Sequence, residues 1–154
     1  MAFLVREVLP EEVEAASLLA QKVFNRFIAP GCPSAGIASF RSFAQPGAVR
    51  SRLADGSFML GAYFGEQIGG VLEMRDYSHI SLLFTAEEYQ RQGVARELFQ
   101  AALTRCRDCG AVLREVTVNS SPFAVQVYRK LGFLPQAEEQ AKGGIRYVPM
   151  ALKL

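Results

Sequence analysis

The first part of the chain shows two successive hydrophobic patterns. Apolar and polar residues alternate along Phe3–Val8, which is typical of a strand with one buried face. Pro10-Glu11-Glu12 follows, and proline and acidic residues both favour the first turn of a helix. Apolar residues then recur at helical spacing, at Val13, Ala16, Leu19, Ala20 and Val23. These patterns predict a strand followed by an amphipathic helix.

Proline and glycine interrupt the next segment, residues 29–57, and only short helices are expected there, over Ile37–Ala44 and Gly47–Ala54. Four phenylalanines are concentrated in and just before this segment: Phe24, Phe27, Phe40 and Phe43. Two interpretations are open. The rings pack the short helices onto a sheet, or they form an apolar wall over a binding site, since long irregular segments in compact domains often bind ligands.

From Ser57 onward the pattern is that of strands. Phe58–Phe64, Gln67–Arg75 and His79–Thr85 are separated by short turns and predict an antiparallel meander. A helix is predicted next, over Arg91–Arg107, with Val94, Leu98, Ala102 and Cys106 on one face.

The remaining elements are a strand over Val112–Asn119, a helix over Phe123–Leu131 that ends at Gly132, and strands over Phe133–Glu138 and Ile145–Leu154. The predicted order is β-α-α-β-β-β-α-β-α-β-β. It indicates an α+β fold of mixed α/β layers, with a central, mostly antiparallel sheet of about seven strands and flanking helices.

Length and composition favour an ordinary globule. The 154 residues suit one domain over 1–154, half of them are hydrophobic, and 21% are charged. The net charge is only +2 and no run of Lys or Arg stands out, so no nucleic-acid partner is expected. No apolar run approaches the roughly 20 residues of a membrane helix, and Met1–Glu7 lacks the pattern of a signal peptide. We therefore expect a cytoplasmic protein without a membrane partner.

The three cysteines are Cys32, Cys106 and Cys109, an odd number that argues against a disulfide framework. Cys106 and Cys109 form a C-x-x-C pair at the end of a predicted helix, whereas reactive pairs lie at a helix start, where the dipole lowers the thiol pKa. A zinc site would need two more ligands, and His79 is the only histidine. We interpret the cysteines as structural thiols and expect no metal.

Gln90-Arg91-Gln92-Gly93-Val94-Ala95 lies between a predicted strand and a predicted helix. Backbone N–H groups at a helix start lack internal partners, and the helix dipole adds positive potential. Gly93 and Ala95 would let a phosphate approach the backbone, and Arg91 and Arg96 could add charged contacts. The segment is neither a P-loop nor a G-x-G-x-x-G fingerprint. It indicates either a phosphate-binding helix start or an ordinary one.

Three segments together carry a more specific signal: His79-Ile80-Ser81-Leu82-Leu83-Phe84-Thr85, Tyr89-Gln90-Arg91-Gln92-Gly93-Val94-Ala95 and Tyr128-Arg129-Lys130-Leu131-Gly132-Phe133. In order and spacing they resemble the GNAT acetyltransferase superfamily over about residues 79–133. The resemblance implies an acyl-CoA N-acyltransferase fold whose sheet splays between the strands that end near Thr85 and Asn119. It also implies acetyl-CoA as co-substrate.

The resemblance assigns roles to individual residues. The backbone of Leu83, Phe84 and Thr85 would pair with the pantetheine arm, and Tyr128 would protonate the departing CoA thiolate. The pyrophosphate loop would consist of Gln90, Arg91, Gln92, Gly93, Val94, Ala95 and Arg96. Many members carry an asparagine seven residues before the tyrosine, and this chain has Ser121 there. We expect Asn119, at the end of its strand, still to face the cofactor together with Ser121.

The implied reaction is direct acetyl transfer to a primary amine of a small molecule or peptide within a ternary complex. A backbone N–H near Leu83 would stabilise the oxyanion. Candidates for the general base are His79, Glu73 and Glu115, of which His79 titrates nearest neutrality and predicts an inflection near pH 6 to 7.5. The structural alternatives are a His79 hydrogen-bonded to the preceding turn and glutamates that are solvated or paired.

Two other classes of function stay open. One is a non-catalytic acyl-CoA-binding protein, a sensor or an inactive relative. The other is a cysteine-dependent hydrolase that uses His79, although no cysteine lies at a strand-to-helix turn. A homodimer is a possible assembly, and the sequence leaves the identity of the acceptor amine open because fold does not fix substrate.

Overall fold

The computed structural model describes residues 2–154. Within them lie five α-helices: α1 (Val13–Phe27), α2 (Ser34–Ala44), α3 (Pro46–Leu53), α4 (Val94–Asp108) and α5 (Val125–Leu131). The strands are β1 (Leu4–Glu7), β2 (Ser57–Phe64), β3 (Gln67–Arg75), β4 (His79–Thr85), β5 (Glu115–Ser120), β6 (Leu134–Pro135), β7 (Gln140–Lys142) and β8 (Ile145–Lys153). The predicted class, α+β with a mostly antiparallel sheet, is confirmed.

The eight strands form a sheet in the order β1-β2-β3-β4-β5-β8-β6, and β7 pairs with β8. The predicted meander of β2, β3 and β4 is confirmed, because these strands pair antiparallel in sequence order. Only β4 and β5 pair in parallel, and their register consists of two residue pairs, His79 with Thr117 and Ile80 with Val118. Beyond these pairs the two strands separate toward their carboxyl ends, so the sheet has the predicted splay.

Each face of the sheet buries its own hydrophobic cluster. Helices α4 and α5 cover one face through residues such as Leu98, Phe99 and Tyr128. Helices α1, α2 and α3 cover the other, through residues such as Ala20, Phe40 and Val49. The apolar face predicted for α4 is buried, including Cys106, while Cys109 lies exposed just after the helix. All three thiols are free.

The sequence-based boundaries need correction in three places. The short helices predicted over Ile37–Ala44 and Gly47–Ala54 are present as α2 and α3, so three helices separate β1 from β2 where the predicted element order counted two. Helix α4 begins at Val94 rather than Arg91, because Arg91 and Gly93 adopt left-handed backbone angles. The strand predicted over Phe133–Glu138 is reduced to β6, and the strand β7 was not predicted. None of the helices in residues 2–154 combines the length and apolar character needed to cross a membrane.

Candidate active site

The separation of β4 from β5 opens a gap in the sheet. Residues Leu82–Thr85 of β4 pair with β3 on one side and have no strand partner on the β5 side within the described chain. The register between β3 and β4 shifts at Ser81, where one extra residue forms a bulge. A bulge bends the strand and redirects its backbone groups, so it contributes to the divergence of β4 from β5. The predicted pantetheine-binding residues Leu83, Phe84 and Thr85 therefore line the gap.

The start of α4 lies just beyond the carboxyl end of β4. Gly93 is the N-cap of this helix and has φ +82°, and Arg91 has φ +63°. Among residues 2–154, no acceptor pairs with the backbone N–H groups of residues 91–96. A Cβ placed on Gly93 would have no heavy atom within 4 Å. Free N–H donors around an open surface at the positive end of a helix dipole suit an anion.

The side chains of this loop divide into two groups. Gln90 donates from Nε2 to the carbonyl of Thr85 at 3.1 Å, and Gln92 donates from Nε2 to the carbonyl of Glu88 at 3.2 Å. Both glutamines thus brace the loop against the preceding chain. Arg91 and Arg96 are exposed and form no ion pair within the described residues, which leaves their guanidinium groups available to a phosphate.

Tyr128 lies on α5, on the face of the sheet covered by α4. Its side chain is 5% exposed, and its ring contacts Phe133 edge-on with centroids 5.5 Å apart. Burial raises the pKa of Tyr128 above its usual range. The phenol therefore stays protonated at neutral pH, as a proton donor must.

His79 begins β4 at the point where the two strands part. Its Nδ1 lies 2.8 Å from the Oγ1 of Thr117, its partner across the β4–β5 pairing. Burial, reinforced by the nearby Arg75, lowers the pKa of His79 to about 4, and Asp76 opposes this only in part. The predicted inflection near pH 6 to 7.5 assumed an ordinary histidine, and the pKa of His79 lies well below that window. His79 is neutral throughout the physiological range.

This depressed pKa predicts a pH dependence of stability. Between about pH 6.5 and pH 4 the unfolded chain binds a proton at His79 and the folded protein does not, so stability falls as the pH is lowered. Because the ring is only half-buried, we expect the loss at pH 5 to be about 1 kcal/mol. Urea unfolding at pH 7 and pH 5 should show a smaller loss for His79→Gln than for the wild type. Equal losses of stability in the wild type and in His79→Gln would contradict the assignment of this pH dependence to His79.

The two glutamates considered as alternative bases lie in different surroundings. Glu73 is fully buried, and both its oxygens accept hydrogen bonds from Arg52, from Nε at 2.7 Å and from Nη2 at 2.9 Å. This ion pair occupies the carboxylate and leaves it without a free acceptor edge. Glu115 is exposed at the start of β5, two residues before Thr117, on the opposite side of the β4–β5 pairs from the gap.

Asn119 and Ser121 both lie near the carboxyl end of β5. Asn119 is exposed, and it follows the last residue of β5 that pairs with β4. The hydroxyl of Ser121 accepts a hydrogen bond from the backbone N–H of Ala124 at 3.2 Å and caps the short turn over Pro122–Ala124. Asn119 has the freer side chain at this edge of the gap.

Sequence comparison identifies the family. A model of the acetyltransferase (GNAT) domain matches residues 28–154. The chain belongs to the GNAT acetyltransferase family. No curated protein sequence is significantly similar to it.

Solved GNAT structures share the fold over the whole chain. A GCN5-related N-acetyltransferase from Rhodopseudomonas palustris aligns with a TM-score of 0.82 at 19% identity, over 100% of this chain and 97% of its own. PaiA N-acetyltransferase from Thermoplasma acidophilum, solved with coenzyme A, aligns with a TM-score of 0.80 at 19% identity over 100% of both chains. Ard1 from Thermoplasma volcanium aligns with a TM-score of 0.74 at 17% identity, over 100% of this chain and 99% of its own.

Two features of this GNAT site were not predicted from the sequence. The first is the bulge at Ser81, for which Leu82-Leu83 gave a signal, because two adjacent apolar residues interrupt the alternation that follows Ile80. The second is Thr117, the partner of His79. Nothing in the sequence pairs these two residues, since the contact depends on the register of two strands far apart in the chain.

Proposed function

We propose that this protein is an acetyl-CoA-dependent N-acetyltransferase, acting on a primary amine of a small molecule or peptide through a ternary complex. One observation carries the proposal: the unpartnered N–H groups of residues 91–96 lie at the end of β4, where β4 also borders the open gap. A phosphate-binding helix start beside a gap in a sheet suits a ligand with a pyrophosphate and a long, narrow arm.

The residues that line the gap fit such a ligand. The pyrophosphate would lie on the N-terminus of α4, with Arg91 and Arg96 at its sides. The arm would follow the unpaired edge of Leu83–Thr85, as an added strand does. Asn119 and Ser121 would lie on the opposite wall. The coenzyme A complex of the PaiA N-acetyltransferase, which shares this fold, is consistent with this arrangement.

The transfer requires one proton to leave the amine and one to reach the sulfur. The amine nitrogen bonds to the thioester carbonyl carbon, and the C–S bond then breaks. We assign Tyr128 as the donor to the thiolate, since its phenol is protonated at neutral pH. We assign His79 as the acceptor of the amine proton, directly or through water, and a backbone N–H near Ser81–Leu83 as the oxyanion donor.

The hydrogen bond to Thr117 bears on the tautomer of His79. If Nδ1–H donates to Thr117 Oγ1, the Nε2 lone pair is left free to accept a proton. A pKa of about 4 makes His79 a weak base. It therefore accepts the amine proton only after the C–N bond begins to form, because the proton on that nitrogen is then far more acidic than the proton of a free ammonium ion. The pH–rate profile then follows deprotonation of the substrate amine, whose usual pKa is near 10.

The test combines binding with turnover. Millimolar acetyl-CoA is expected to raise the melting temperature, because it binds only the folded protein. A panel of amines and peptides, read by release of free thiol, should then reveal an acetylated acceptor. A thermal shift without thiol release from any amine would favour the alternative, a non-catalytic acyl-CoA-binding protein. No thermal shift would contradict both.

A further inference from the structure

The proposed function places the acid and the base on opposite faces of the sheet. Tyr128 belongs to the cluster under α4 and α5. His79 pairs with Arg75 and Thr117 on the neighbouring strands, and its side chain alternates with that of Ile80, which faces α4. If the thiolate is protonated from the Tyr128 side, the amine approaches from the side of His79. The acceptor therefore enters from the face covered by α1, and this inference rests on the proposed function.

One aromatic pair joins the two sides of the gap on that face. Phe27 is the last residue of α1, and Phe123 lies in the turn that follows β5. Their rings stack with centroids 4.8 Å apart and planes 17° apart. The end of α1 is also joined to the chain after β4 by an ion pair of Arg26 with Glu87 at 3.5 Å. The stack therefore connects the β4 side to the β5 side beyond the point where the strands part.

The ring of Phe123 remains accessible despite this contact, because the residue is 48% exposed. The other phenylalanines of the N-terminal region behave differently. Phe24 and Phe40 are buried and stacked at 4.0 Å, and Phe84 meets Phe40 edge-on at 5.6 Å. Phe24 and Phe40 fill the core and the partly buried Phe84 packs on them from the β4 edge, whereas Phe123 carries the most exposed of these rings beside the gap.

The charged side chains on the α1 face also restrict which kind of amine can bind there. His79 is neutral, Glu73 is occupied by Arg52, and Glu87 is paired with Arg26. The guanidinium of Arg26 lies 5.0 Å from the ring centroid of Phe27. A polyamine needs acidic partners for its additional positive charges, but Glu73 is buried against Arg52 and the exposed Glu87 already has Arg26 beside it. An aromatic group, in contrast, stacks well on an exposed ring.

We propose that the Phe27–Phe123 stack binds the acceptor, and that the acceptor is a primary amine carried on an aromatic group. The ring of the substrate packs against Phe123 and Phe27 and directs the amine toward His79. The stack thereby selects arylalkylamines over polyamines and short alkylamines.

The experiment compares 2-phenylethylamine, n-butylamine and spermidine as acceptors. For the wild type we expect kcat/KM to be at least roughly tenfold higher for 2-phenylethylamine. Phe123→Ala and Phe27→Ala should raise KM for this amine by roughly tenfold or more, with kcat and the Kd of acetyl-CoA nearly unchanged. Phe123→Tyr should restore the wild-type KM. Phe43→Ala is the matched control, because Phe43 is exposed on α2 and packs on Arg52.

Direct binding separates this inference from the proposed function. Calorimetry with 2-phenylethylamine, in the presence of CoA, should detect binding to the wild type and its loss in Phe123→Ala. Binding that depends on Phe123 without any turnover would support the aromatic site and contradict the acetyltransferase. Turnover of amines that is insensitive to Phe27 and Phe123, an equal effect of Phe43→Ala, or an absence of binding would overturn the inference.

Discussion

Gly93→Glu is expected to raise the Kd of acetyl-CoA by roughly a hundredfold or more, without unfolding the protein. The glycine caps α4 with open space above it, so a carboxylate there would place negative charge where the pyrophosphate must approach. Isothermal titration or the thermal shift with acetyl-CoA measures the loss, and circular dichroism checks the fold.

Gly110→Glu is the matched control. Gly110 has φ +79°, and a Cβ added there would likewise have no heavy atom within 4 Å, but it lies past the opposite end of α4. Both variants thus carry the same charge and the same cost of a left-handed backbone, about 1 kcal/mol. Gly93→Ala measures the backbone cost alone at the site. If Gly93→Glu binds acetyl-CoA as tightly as Gly110→Glu does, the phosphate lies elsewhere.

Tyr128→Phe is expected to lower kcat by roughly ten- to a thousandfold with little change in the affinity for acetyl-CoA. The change removes the proposed proton donor and retains the ring that packs against Phe133. Single-turnover measurements of thiol release give the rate of the chemical step. The effect should be largest if cleavage of the C–S bond limits the rate, because the CoA thiolate must then depart unprotonated.

Tyr63→Phe provides the control for loss of a phenol elsewhere. Tyr63 donates from its hydroxyl to Glu12 at 2.9 Å, in a network with Arg6 at the start of the chain. Its removal should reduce stability and leave kcat unchanged. If Tyr128→Phe likewise lowers the stability and leaves kcat unchanged, then water protonates the thiolate. The role of Tyr128 is in that case limited to packing in the core.

The fold could be predicted from the sequence wherever one side of an element is buried. The apolar faces of α1 and α4 repeat with the period of a helix, and the apolar runs of β2, β3 and β4 are bounded by turn residues, so all five elements were recognised. β7 was missed for the opposite reason. Gln140, Ala141 and Lys142 are all exposed, so burial imposes no alternation on them. β6 is short because its next partner on β8 is Pro149: Gln136 still donates its N–H to the carbonyl of Pro149 at 2.8 Å, but Pro149 has no N–H to return the bond.

The backbone features of the site could be predicted from the sequence, whereas the pKa values of its side chains could be predicted less well. The position of Gly93 between a strand and a helix indicated a phosphate-binding helix start, although the helix was predicted from Arg91 and begins at Val94. The pKa of His79 could not be derived in the same way, because it depends on the burial of the ring and the proximity of Arg75. Those quantities arise only when β3, β4 and β5 are assembled. The phenylalanines likewise divide by environment, with Phe24 and Phe40 in the core and Phe27 at the gap.

The narrow contact between β4 and β5 also has a mechanical meaning. Two residue pairs join the strands β1–β4 to the strands β5–β8, whereas each half is held by longer antiparallel ladders. The sheet therefore consists of two long ladders joined by one short contact, and α4 packs on the β1–β4 side of that contact. The ligand proposed for this gap would pair with the free edge of β4 in place of β5, so it would also make the sheet continuous.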